Sequence, residues 1–157
     1  LLLQKTPADN FTATAKLQLT AKDQNQMGGI IMMGLDYSAL VVKRVGDEFQ
    51  LQQITCHKAD KKGTEDVKVL ATFAPTSADK IDYQPALHHS SYLRMVVKQG
   101  KVNFYFSKDG KSFKKVGDEF TMREGKWIGA KVGMVAQEPA GKTNRGWIDV
   151  DWFRITK

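Results

Sequence analysis

Glycosidic-bond hydrolysis needs two carboxyl groups facing one bond, roughly 5–10 Å apart. The segment GWIDVDWFRI, residues 146–155, offers such a pair in Asp149 and Asp151. Two residues apart on an extended strand, they share a face with Cβ atoms about 7 Å apart. The same pair could serve as calcium ligands, because that ion takes carboxylate oxygens at strand ends and loops. No EF-hand-like loop accompanies them, however. The chain holds 17 Asp and Glu residues, and none stands in a signature that singles it out. The plainer expectation is two hydrated or hydrogen-bonded carboxylates on the last strand.

Other chemistries find less support. His88 and His89 are adjacent and lack a third ligand at zinc-like spacing, so a surface loop pair is expected. Cys56 is the only cysteine, so no internal disulfide forms and the redox compartment stays undetermined. Cys56 and His57 are neighbours in a strand-like run and point to opposite faces, which excludes direct nucleophile–base pairing. Gly28-Gly29 precedes a strand rather than a helix, so it makes no dinucleotide site, and no P-loop or nucleophile elbow occurs. Aromatic side chains are the remaining binding candidates. Axial C–H groups of sugar rings pack on Trp and Tyr faces, and Trp127, Trp147, Trp152, Tyr37, Tyr83 and Tyr105 offer such faces. Strict alternation over GWIDVDWF puts Ile148, Val150 and Trp152 on a core face. Trp147, Asp149, Asp151 and Phe153 then lie on the opposite one.

The elements that must position these residues have period two almost throughout. FTATAKLQLT places Phe11, Ala13, Ala15, Leu17 and Leu19 on one side. GGIIMMGL is a continuous apolar run, the pattern of a strand buried on both faces. Further strand-like runs follow, ten or eleven in all, punctuated by glycines and Lys/Asp pairs. This patterning predicts an all-β sandwich or barrel. Gln99-Gly100 and Asp109-Gly110 read as hairpin turns. Residues 75–91, with two of the four prolines, read as a long connection holding at most a short helical turn. No repeat or linker divides the chain, so one domain over 1–157 is expected.

A formal net charge of +7 raises the question of a nucleic-acid face. The lysines sit in turn-like segments without a nucleic-acid motif, so they read as solvated surface. No apolar run approaches the roughly 18–20 residues that cross a bilayer, so no membrane partner is expected. The chain opens on Leu1-Leu2-Leu3 and reads as a domain cut from something longer.

Several segments together resemble a known module: LLQKTPADNFTATAKLQL, MGGIIMMGLDYSALVVKR, YLRMVVKQGKVNFYFSKDGKSFKKVGDEF, WIGAKVGMVA and GWIDVDWFRI. In this order they are similar to the C-terminal β-sandwich domain of family 43 glycoside hydrolases, the β-xylosidase-like members, over nearly the whole chain. The resemblance implies a concanavalin A-like jelly roll. It also implies an N-terminal five-bladed catalytic propeller in the same polypeptide as partner. The sandwich would then carry no catalytic residue. It would pack on the propeller and help shape its pocket, with Trp127 first, then Trp147 and Tyr37, as candidates for the pocket rim or for carbohydrate contact. No cofactor is implied beyond the weak calcium candidates. An autonomous carbohydrate-binding module is the alternative, and a glycosidase jelly roll in its own right ranks below it. A periplasmic or extracellular parent enzyme is favoured, with a cytoplasmic one also compatible.

Overall fold

A computed structural model describes residues 1–125, 129–141 and 143–157. Among these residues the period-two runs become twelve strands. They are β1 (Leu2–Lys5), β2 (Asn10–Ala21), β3 (Met27–Met33), β4 (Tyr37–Val45), β5 (Glu48–Cys56) and β6 (Glu65–Phe73), then β7 (Ser77–Ile81), β8 (Gln84–Lys98), β9 (Lys101–Ser107), β10 (Lys114–Thr121), β11 (Lys131–Gln137) and β12 (Trp147–Thr156). A single 3₁₀ turn, Ala59–Lys61, interrupts the β structure. All strand pairs are antiparallel. The first sheet runs β1-β11-β3-β4-β5-β6; the second runs β10-β9-β8-β2-β12, with β7 added on β8.

The two sheets pack face to face. Phe11, Ala13, Ala15, Leu17 and Leu19 of β2 are all buried, as the alternation requires, together with Ile30, Met32, Leu40 and Val42 of the first sheet. Each large aliphatic residue taken out of water here contributes about 1.5–3 kcal/mol. Ile148 of β12 closes over Gly28 of β3 so tightly that a Cβ at position 28 would collide with it. The last strand is thereby seated across the sandwich.

β3 and β4 are buried on both faces, which explains their unbroken apolar sequence. Their outward residues Ile31, Ala39 and Val41 join Ile54 of β5 in a second apolar cluster on the outer face of the first sheet. The Gln99-Gly100 hairpin forms as expected, with φ of 47° and 79° and Lys98 opposite Lys101. Positive φ at both central residues is what a two-residue hairpin demands.

Three expectations are corrected. Residues 75–91 are not a loop: β7 and the start of β8 form another hairpin, with Ile81 opposite Gln84. Its turn is Asp82-Tyr83, with φ of 49° and 65°, and it lacks the glycine that would have marked it. His88 and His89 are not a surface pair, since both are buried in β8. His88 lies between Thr20 Oγ1 (2.9 Å from Nδ1) and Asp79 Oδ1 (2.8 Å from Nε2), whereas His89 faces the core between aromatic rings. Finally, the alternation in β12 breaks. Val150 pairs with Leu17 and Trp152 with Lys16, so Asp151 is the extra residue of a bulge. The bulge sends Phe153 into the core and turns Trp152 outward, where Arg154 lies 4.4 Å over its ring.

Candidate functional site

Three places carry the chemistry-bearing residues. The first is the end of the second sheet around Trp147, which is 39% exposed. Its indole Nε1 donates to Asp149 Oδ2 at 3.0 Å, and Lys22 Nζ stands 5.7 Å from the ring centre. Trp147 edges a cavity of about 150 Å³ with Gln26, Glu138 and Gly146. Gln26 is buried and fully used. Its Oε1 accepts from the Lys22 and Asp23 amides, and its Nε2 donates to Glu138 Oε2 and the Asn144 carbonyl. This one side chain ties the turn after β2 to the segment leading into β12. The bulge and these contacts divide the expected carboxylate pair: Asp149 serves the indole, and Asp151 pairs with Lys16 Nζ at 2.6 Å. Among the described residues, no three His, Cys, Asp or Glu side chains cluster as metal ligands.

The second place is the outer face of the first sheet. Tyr37 lies at one end of a groove of about 340 Å³ floored by Ile31, Ala39, Val41 and Ile54. Its hydroxyl donates to Glu65 Oε1. Burial, and then that carboxylate, push its ionisation upward. Val67 pairs with Ile54 and Val69 with Gln52, so both valines extend this face, at 49% and 52% exposure. The face is largely aliphatic, with Gln52 set among the valines and donating to Gln50, and the Tyr37 hydroxyl is already satisfied.

The third place is an ion-pair knot at one end of the sandwich. Asp36 is buried and accepts from Arg123 Nη2 (2.7 Å), Arg123 Nε (3.1 Å) and the Lys58 amide (2.8 Å), with His57 Nδ1 at 3.2 Å. The Arg123 hydrogen bonds outweigh burial and hold the carboxyl at about 2. Arg123 also reaches Asp60 at 3.0 Å, and its carbonyl accepts from the Leu35 amide. On the far side of the same segment Ala130 is buried, and its carbonyl accepts from the Thr6 amide. Both flanks of Trp127 are therefore anchored, although Trp127 itself lies outside the described residues. Sequence reasoning missed Asp36, Arg123 and Gln26, because single polar residues in turns carry no periodic signal. The aliphatic face was foreshadowed by the unbroken apolar run of β3.

Comparison with known proteins supplies the family. A family model described as the β-xylosidase C-terminal concanavalin A-like domain matches residues 1–156. A curated β-xylosidase of Formosa agariphila is 27% identical over 142 residues, 90% of this chain but 20% of that protein. Among solved structures, a xylan β-1,4-xylosidase from Bacillus halodurans superposes with a TM-score of 0.70 at 18% identity, covering 97% of this chain and 28% of that one. A GH43 protein from Bacillus licheniformis superposes at 0.63 and 18% identity, covering 98% and 28%. These two likenesses establish the sandwich fold. The chain spans a fifth to under a third of the length of these relatives. The match over essentially its whole length makes this chain a member of the β-xylosidase C-terminal concanavalin A-like domain family of GH43 enzymes.

Proposed function

We propose that this domain is the non-catalytic accessory sandwich of a family 43 glycoside hydrolase acting on xylan- or arabinoxylan-type saccharides. It packs on the catalytic propeller of the same polypeptide and helps shape that domain's pocket. The observation that carries this reading is the aliphatic outer face of the first sheet. Its floor is buried, but Leu1, Val67 and Val69 at its margin are exposed, and apolar side chains gathered in this way mark protein contact. A sugar-binding sheet would instead need flat aromatic rings, and this face has a Tyr37 already bonded to Glu65 and a buried aliphatic floor.

The test expresses the propeller and this domain as separate chains and measures their association by titration calorimetry. Val67→Asp/Val69→Asp alters exposed positions, so the fold persists while docking and the stimulation of xylosidase activity are lost. Unchanged association of that variant would remove the outer face from the interface.

A second reading, an autonomous carbohydrate binder, draws on one observation: half-exposed Trp147 edges a small polar cavity. Calorimetry of the isolated domain with xylo-oligosaccharides and arabinoxylan decides it. Binding abolished by Trp147→Ala would favour this reading, and silence at millimolar sugar would leave the accessory role.

A further inference from the structure

The two sheets are open to solvent along one flank. β6 is the edge of the first sheet and β10 the edge of the second, and between them lies a cavity of about 570 Å³. That volume falls in the range of small-molecule sites. Its floor is apolar, built from Leu51, Leu70 and Phe106, and Leu51 is completely buried. Behind the floor stands a run of rings contributed alternately by the two sheets: Phe49, His89, Phe73, Phe106. Successive centroids are 5.4, 5.3 and 5.0 Å apart, and the Phe73 and Phe106 planes differ by 14°. His89 is 3% exposed, and the Ala74 backbone is the polar group that faces its ring. Burial holds it below the ordinary histidine value, so the stack is uncharged near neutral pH.

The rim has the opposite character. Lys108 and Lys114 stand at the mouth, while Lys115, opposite Tyr105, turns to the outer face beside Glu119. Lys108 Nζ stands 5.0 Å from the Phe73 ring centre, a cation held over the aromatic wall. Among the described residues neither Lys108 nor Lys114 forms an ion pair, whereas Lys115 is offset by Glu119. The one carboxylate of the lining, Asp109, is turned into its own loop through Oδ1. It accepts from the Ser107 hydroxyl at 3.0 Å and from the Lys111 and Ser112 amides at 2.8 and 3.0 Å. An apolar trough of ligand size thus meets two ammonium groups, Lys108 and Lys114, that no carboxylate pairs.

We propose that this flank is a binding site for an apolar monocarboxylate, an aryl or alkyl acid. The body of the acid lies on Leu51, Leu70 and Phe106, and its carboxylate lies among the rim lysines. The floor offers few hydrogen-bonding groups for the hydroxyls of a sugar, which separates this site from the carbohydrate question above. The site draws on the open flank, whereas the proposed propeller docking draws on the outer face of the first sheet.

The test is a heteronuclear NMR titration of the full chain with phenylbutyrate, with decanoate, and with phenylbutyramide as the uncharged control. Phenylbutyrate or decanoate should shift the amides of 70–73 and 106–117 saturably, and the stronger acid identifies the body as aryl or alkyl. The amide should bind about tenfold more weakly, and Lys108→Glu/Lys114→Glu should weaken acid binding by about the same factor. Val116→Trp, which fills the trough, should abolish binding. If it does not fold, the lysine variant still decides, since those side chains are at the surface. Absence of saturable shifts with both acids, or equal binding by acid and amide, would overturn the proposal.

Discussion

Asp36 shows how much one buried carboxylate can organise. It joins the turn after β3, the 57–60 loop and Arg123 through four contacts. Replacing it with Asn removes the charge that Arg123 requires, and Asp36→Asn should lower stability by about 1–3 kcal/mol in urea unfolding. The pH signature follows from sign. A folded-state value of about 2, below the ordinary 3.8, means the contribution is complete above pH 3.8. It is lost as pH falls from there through about 2. The wild-type protein should lose stability across that window, and the Asn variant should do so less steeply. Gln26 makes a similar case without charge. Gln26→Leu removes the acceptor of two backbone amides, and should cost about 2 kcal/mol and shift Trp147 fluorescence. Neither role was legible in the sequence. An Asp in a Gly-Leu-Asp turn looks like any other turn residue until the fold brings residue 123 beside residue 36.

At the scale of elements, strict alternation served well for β2 and failed for β12. The difference is one residue. Asp151 is a bulge, so the apolar phase shifts and Phe153 replaces Trp152 in the core. Phe153→Ala should therefore cost about 2–4 kcal/mol, and Trp152→Ala less than about 1.5 kcal/mol, measured as shifts in denaturation midpoint. The reverse order would mean that the bulge is misplaced. The β7–β8 hairpin escaped notice for a related reason. Its turn uses Asp82 and Tyr83 at positive φ, where Asn-Gly would have been the visible signal. Tyr83 is 96% exposed and loses no packing on substitution. Asp82→Asn/Tyr83→Gly should raise stability by about 0.5–1.5 kcal/mol, read as an increase in melting temperature. By contrast, Gln99-Gly100 carried half of that signal openly and formed as expected.

For the whole molecule, period-two patterning and turn spacing were enough to indicate a sandwich or barrel, and the resemblance to GH43 accessory domains singled out the sandwich. The candidate site was less accessible. Tyr37 and Trp147 do lie beside cavities. However, the face best suited to a partner domain is defined by aliphatic residues that any sandwich core would also contain. Ile31 and Val41 look like interior residues in sequence. Only the sheet order shows that they point away from the second sheet.

The strand order also governs when the domain can be completed during synthesis. β2, at residues 10–21, waits for β12 at 147–156, and β1 waits for β11. Pairings this distant along the chain place folding in the slow, millisecond-to-second regime. A nascent chain halted before residue 147 would leave one margin of β2 as a bare template and would uncover the core beside Gly28. Quality control should therefore recognise stalled or truncated products of this domain chiefly by the absence of β12.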